Sequence, residues 1–178
     1  MKRTITEDVF YPAHDPRTDS KTFLRTKSAG KKANTRCVIS GSPEVEYHHL
    51  FCEWAFMSAV NWQEVKDIAT GVQTQFAVYD PMTLAPTGEM IDIKKTLIYL
   101  ILEFIKFRGF DFAKFDIAKP ETLVDSIFQM LPIHEKYHRM PYHGIHAMSG
   151  PIWLFQAFPK IAGYAFSPDE LELIRKGK

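Results

Sequence analysis

Six of the seven histidines fall into two short groups far apart in the chain. The first is Tyr47-His48-His49-Leu50, ten residues after Cys37. The second is His134-Glu-Lys-Tyr-His138, continuing through His143 and His146. Imidazole is the commonest protein metal ligand, and its ordinary pKa lies near neutrality. Two such groups can serve one site only if folding brings residues near position 50 against residues near 140. A site closed in this way would use imidazoles as ligands and as a general base.

The local spacing sharpens this reading. Adjacent side chains on a strand point to opposite faces, so His48 and His49 share one site only where the strand end twists or bulges. His134 and His138 are four apart, which puts both on one face of a helix. A lone His-His pair or a lone His-x-x-x-His is common; the ordered combination carries the information.

With 178 residues, 46% hydrophobic and 24% charged, the chain matches one ordinary globular domain. The most apolar stretch, around 96–104, is interrupted by Glu103 and Lys106 and reads as a buried helix rather than a membrane span. Only Cys37 and Cys52 are present and the N-terminus lacks an apolar signal region, so a reducing cytoplasm is expected (a host cytoplasm if the chain is phage-encoded). Net charge is +1, but Arg25, Lys27, Lys31, Lys32 and Arg36 stand in an acid-free segment. Such a segment either contacts phosphates or is a solvated arm.

Along the chain, residues 1–36 are polar and read as a basic, partly extended N-terminal arm. Residues 37–50 read as a hairpin ending on the His pair, with Val45, Tyr47 and His49 alternating against Glu44, Glu46 and His48. A helix is expected over 53–69, a second hairpin from 75–79 and 89–93, a strong helix over 94–107 stopped by Gly109, and another helix over 120–131. The last helix has Ser167 as N-cap, Pro168 at its first position, Glu170 at the third, and Gly177 after its end. The apolar run Ile152-Trp153-Leu154-Phe155, with Phe158, reads as core.

Cys37-Val-Ile-Ser-Gly, then Glu-Tyr-His48-His49-Leu, then Gln129-Met-Leu-Pro132-Ile-His134-Glu-Lys-Tyr-His138 resembles the HNH nucleases, especially phage-encoded members. Gly144-Ile145-His146 also resembles the Gly-Ile-His of some phage members. The likeness covers about 35 residues in two pieces. It implies a ββα-metal finger in which His48 and His138 ligate a divalent cation and His49 is the general base. His134 and His146 compete for a further ligand position, while His143 could complete the metal shell or touch nucleic acid. Arg139 is a candidate phosphate contact, with a solvated arginine as the alternative. The cation expected for phosphodiester hydrolysis is Mg²⁺ or Mn²⁺, with Zn²⁺ or Ni²⁺ also compatible with a histidine site.

The chain departs from the family pattern in three places. The middle asparagine has no clear counterpart; Asp125 or Ser126 occupies that region, and Asp125 could orient a histidine or bind the metal. The paired cysteine knuckles are reduced to Cys37 with Ser40 and to His134 with Tyr137, too few donors for a structural zinc. Residues 51–124 form an insertion that must supply its own core.

The expected architecture is one α+β domain over 37–178: finger halves at 37–50 and 125–150, a largely helical insertion and a C-terminal helix. The expected function is metal-dependent endonuclease action on DNA, with Lys31, Lys32, Arg36 and Arg139 as candidate nucleic-acid contacts. The rival is a catalytically degenerate HNH-fold module that binds nucleic acid or protein. A third class, a zinc-stabilised interaction module, would need the histidines alone to hold Zn²⁺.

Overall fold

A computed structural model describes residues 11–12, 18–140, 144–147, 158–165 and 168–176. It is a mixed α+β fold that has, among the described residues, two separate two-stranded antiparallel sheets. The sheet that matters for function pairs β1 (Glu46–His49) with β4 (Met130–Ile133), in the register Glu46↔Ile133 through His49↔Met130. Strands from either side of the insertion therefore lie directly against each other. The other sheet is the hairpin β2 (Gln75–Tyr79) and β3 (Pro86–Asp92), a largely exposed ribbon with a register shift between Ala77 and Tyr79.

The first correction to the sequence reading is at the N-terminus. Residues 21–32 are not extended: they form α1 (Lys21–Lys32), capped by Ser20, whose hydroxyl accepts from the Phe23 amide at 2.9 Å. Charge hid this helix, since only Phe23, Thr26 and Gly30 are buried along it. Those three positions, spaced by three and four, form one narrow contact stripe. The stripe packs on β1. A Cβ on Gly30 would lie 1.6 Å from the Tyr47 hydroxyl, so glycine is what lets helix and strand approach this closely.

The hairpin expected within 37–50 is absent, because β1 pairs with β4. Residues 37–42 form a tight loop closed by Cys37 N–H to Ser42 O at 2.9 Å, and the Val38 amide donates to Pro132 O at 3.0 Å. The helix expected over 53–69 is split into a 3₁₀ stretch (Trp54–Ala59) and α2 (Trp62–Thr70). The break is tertiary: Val60 pairs with Lys160, the Asn61 amide donates to Pro159 O, and the Asn61 side chain caps α2. α3 (Leu97–Phe107) forms where the periodicity predicts, capped by Thr96, with Gly109 at a positive φ of 103° just beyond it.

Another correction concerns 120–131. The helix α4 stops after Glu121–Val124, and the chain turns at Asp125 into β4. Gln129, 1% exposed, holds that turn. Its carbonyl accepts from the Phe51 and Cys52 amides at 3.0 and 3.1 Å, and its amide donates to Cys52 O and Val124 O at 2.7 Å each. Every hydrogen-bonding position of that amide is used, clamping the turn after β1 to the turn before β4.

The main core joins α2, α3 and residues Phe56, Phe112, Phe115, Leu123, Val124 and Phe158. A small separate cluster of Phe23, Tyr47 and Met130 seals α1 to the β1–β4 sheet. α5 (Glu135–His138) follows β4 directly, and α6 (Pro168–Lys176) ends the fold. Ser167, Gly177 and the run 152–155 lie outside the described residues. Among those described, no helix is long and apolar enough to cross a membrane.

Candidate metal centre

β1 presents its side chains in strict alternation. Glu46 and His48 face α5, whereas Tyr47 and His49 face α1. The two adjacent histidines therefore enter different environments.

On the α5 side, His48, His138 and His146 each offer a ring nitrogen, all within 4.8 Å of one another. The His48 ring lies 5.4 Å from that of His138 and 4.9 Å from that of His146, centroid to centroid. The chain gets His146 into place by folding back on the end of α5. The Gly144 amide donates to Met140 O at 2.8 Å, and a Cβ at Gly144 would stand 2.7 Å from both Arg139 N and His138 O. Glycine is required there on steric grounds alone.

A carboxylate orients one of the three rings, and a second carboxylate lies near another. Glu46 Oε2 accepts from His138 Nδ1 at 2.7 Å, which places that ring's proton on Nδ1 and leaves Nε2 as the donor atom. Glu53 Oε1 lies 3.8 Å from His146 Nδ1. The two Nε2 atoms then face each other at 3.1 Å. A separation of this size is one that two nitrogens ligating the same cation would adopt. His48, His138 and His146 could together hold a cation.

Electrostatics agree with ligation. Burial, with the neighbouring His146, His138 and His49, pushes the His48 imidazole down to about 3, so this ring is neutral at physiological pH. Burial pushes the Glu46 carboxyl up, but hydrogen bonds from His138 and Arg139 outweigh it and hold the group below its ordinary value.

On the α1 side, His49 is buried, with its ring parallel to that of Phe23 at 6.5 Å. Its Nε2–H donates to Asp125 Oδ1 at 2.8 Å. Ser20 donates to Asp125 Oδ2 at 2.6 Å, and Thr26 to the Asp125 carbonyl at 2.9 Å. Asp125 thus fixes the tautomer of His49 and latches α1 at once. In the neutral tautomer that carries its proton on Nε2, Nδ1 holds the lone pair. His49 also borders a cavity of about 230 Å³ that it shares with His48, His138, His146 and Glu53.

The remaining candidates fall elsewhere. His134 does not share a helix face with His138; it is the N-cap of α5 in extended conformation. Its Nδ1 accepts from the Lys136 amide at 3.1 Å, and its Nε2 lies 3.5 Å from Glu44. Four-residue spacing misleads here because the helix begins one residue too late. Arg139 is held by Glu46 at 2.7 Å and lies 3.5 Å from Glu135. Lys32 is exposed at the end of α1, Lys31 borders a second cavity, and Arg36 donates to Gly41 O at 3.0 Å. His143 lies outside the described residues. At the Cys37 loop, burial pushes the thiol up, but hydrogen bonds involving Ser40, His134 and Ile39 outweigh it and bring it to about 7.

Glu46, Glu53 and Gln129 were missed by sequence reasoning. Glu46 had a signal, lying two residues before His48 on the same strand face, and Gln129 stood in the HNH-like segment without being given a role; Glu53 had none. Comparison with protein families, with curated proteins and with solved structures found no match.

Proposed function

We propose that this chain is a metal-dependent endonuclease of HNH type that hydrolyses phosphodiester bonds in DNA. The reading rests chiefly on one observation: a three-imidazole group stands next to a histidine whose Nε2 is tied to a buried carboxylate. The order β1, β4, α5, with His48 on the first strand and His138 on the helix, supports a ββα-metal core. A cation held by His48, His138 and His146 would neutralise charge on the scissile phosphate and its leaving oxygen. Three nitrogen donors favour Mn²⁺, Ni²⁺ or Zn²⁺ over Mg²⁺, which prefers oxygen.

In this reading His49 takes a proton from the attacking water at Nδ1 while Asp125 holds the ring through Nε2. Asp125 is then a positioning residue in the sense of a histidine-orienting carboxylate. Glu46 keeps Nε2 of His138 aimed at the cation.

The test is plasmid nicking with wild type, His49→Ala and His138→Ala under Mn²⁺, Ni²⁺, Zn²⁺ and Mg²⁺, with EDTA controls. His49→Ala should lower cleavage by about 10²–10⁴-fold, with metal affinity retained. His138→Ala should lose metal affinity, with partial rescue by excess Mn²⁺. Wild-type protein that binds DNA and never cuts it would replace this reading with that of a binding module. The burial of His49 is what favours that second reading.

A further inference from the structure

Asp125 meets His49 with one carboxylate oxygen and α1 with the other. His49 Nε2 lies 2.8 Å from Oδ1, and the Ser20 hydroxyl donates to Oδ2 at 2.6 Å from 105 positions away in the chain. Ser20 is the N-cap of α1, and α1 lies outside the β1, β4 and α5 elements that carry His48, His49 and His138. A helix remote in sequence therefore completes a chain of hydrogen bonds from Ser20 through Asp125 to His49.

The direction of each bond follows from the groups that make it. A backbone amide can only donate, so the Ser20 oxygen accepts from the Phe23 N–H at 2.9 Å. The hydroxyl has a single proton, and that proton goes to Asp125. Its 2.6 Å length is that of a hydroxyl donating to an ionised carboxylate, about 2.5–2.7 Å, a class roughly twice as strong as neutral hydrogen bonds. An ionised carboxylate only accepts, so the proton between Nε2 and Oδ1 belongs to His49. Among the described residues, His49 and Ser20 are the two side chains that donate to this carboxylate. Thr26, also on α1, donates instead to the Asp125 main-chain carbonyl. Asp125 is 2% exposed, so bulk water is not at hand to replace a lost donor. The terminal torsion of an aspartate is broad. Held by one oxygen the carboxylate can turn; held by both, its plane is set.

We propose that Ser20 is a positioning residue for His49: its bond to Asp125 Oδ2 fixes the carboxylate that keeps the His49 proton on Nε2 and the lone pair on Nδ1. Its consequence for catalysis rests on the nuclease reading above, in which Nδ1 takes a proton from the attacking water. As the water oxygen bonds to phosphorus, the opposite P–O bond breaks and its oxygen leaves with the bonding pair. The ring is then an imidazolium, and the oriented carboxylate faces its new charge. Ser20 acts through Asp125 throughout.

The experiment uses the full chain and three variants. Ser20→Gly removes the hydroxyl at little cost to the helix start, because glycine is itself an accepted N-cap. Ser20→Thr keeps an oxygen that can both cap and donate. Thr26→Val removes the other α1 bond to Asp125 and leaves the carboxylate's partners in place. The first readout needs no cleavage: ¹⁵N NMR of the His49 imidazole in metal-free protein at mildly alkaline pH. Wild type, Ser20→Thr and Thr26→Val should show one tautomer, protonated on Nε2, and Ser20→Gly a mixture of two. The second readout is plasmid nicking under Mn²⁺ or Ni²⁺. Ser20→Gly should lower kcat by about tenfold, the worth of one hydrogen bond to a charged group, with KM and metal affinity unchanged. Ser20→Thr and Thr26→Val should stay close to wild type. A His49 ring equally well fixed in Ser20→Gly, or loosened as much by Thr26→Val, overturns the proposal even where cleavage is robust, since Ser20 then only starts a helix. A kcat that Ser20→Gly leaves unchanged, or that Ser20→Thr fails to restore, overturns it as well. A tautomer mixture confined to Ser20→Gly, without cleavage by wild type under any metal, supports the positioning and overturns the nuclease reading instead.

Discussion

His48 and His49 are neighbours in sequence and belong to different environments: His48 meets His138 and His146, whereas His49 meets Asp125 and Phe23. Strand alternation separates the ligand from the residue proposed as base by one peptide bond. Each can be altered with little effect on the other's contacts.

The metal centre should respond to its orienting carboxylate as well as to its ligands. Glu46→Ala should weaken Ni²⁺ or Zn²⁺ binding by about 10–100-fold, since His138 would lose the partner that fixes its tautomer. Isothermal titration on the purified protein reads this directly. Unchanged affinity would show that Glu46 serves Arg139 alone.

Gly144 supplies a sharper test. A methyl group there meets the backbone of His138 and Arg139 at 2.7 Å, so the 144–147 segment must shift and carry His146 with it. Gly144→Ala should reduce metal affinity to nearly that of His146→Ala. Urea unfolding of the metal-free protein should change little, because the main core is built elsewhere.

These two residues mark the limit of what the sequence disclosed. The two histidine groups, the joining of residues near 50 to residues near 135, the hairpin around 75–92 and the helix ending before Gly109 were legible from residue type and period. The function of His134 was not, because four-residue spacing implies a shared face only inside a helix, and His134 caps one. α1 was obscured by its charge, which says nothing of the three-residue stripe that packs on Tyr47. The break at Asn61 and the short α4 follow from contacts with Pro159, Lys160 and Gln129, and local sequence cannot express those.

Asp125 should matter for stability as well as chemistry. It accepts from His49 and Ser20 in a buried setting, and its removal strands both donors. Asp125→Ala should cost about 1–3 kcal/mol and loosen α1. Urea midpoints and amide exchange over 21–32 would report the two effects. Exchange in α1 that matches wild type would mean that Phe23, Thr26 and Gly30 suffice to hold the helix.

Acid should destabilise the metal-free protein through His48. Its folded value, about 3, lies below the ordinary 6.5, so the unfolded chain binds the proton more readily. The contribution of His48 is present above pH 6.5 and is lost as pH falls from about 6.5 toward 3. Denaturation curves across that range should show the loss, and His48→Gln should flatten it. A ring titrating near 6.5 by NMR in the folded protein would contradict the burial argument.

The β1–β4 pairing also governs when the centre comes into being. His48 leaves the ribosome long before Met130–Ile133 exist to pair with its strand, and His146 follows later still. At about 5–20 residues per second, roughly 5–20 s of translation separate the first ligand from the last. Until residue 130 is made, the nascent chain has one imidazole of the three and no partner strand. Whatever chemistry the finished centre performs is thus withheld from incomplete chains, and a product truncated before residue 130 lacks two of the three imidazoles and the strand that positions the first.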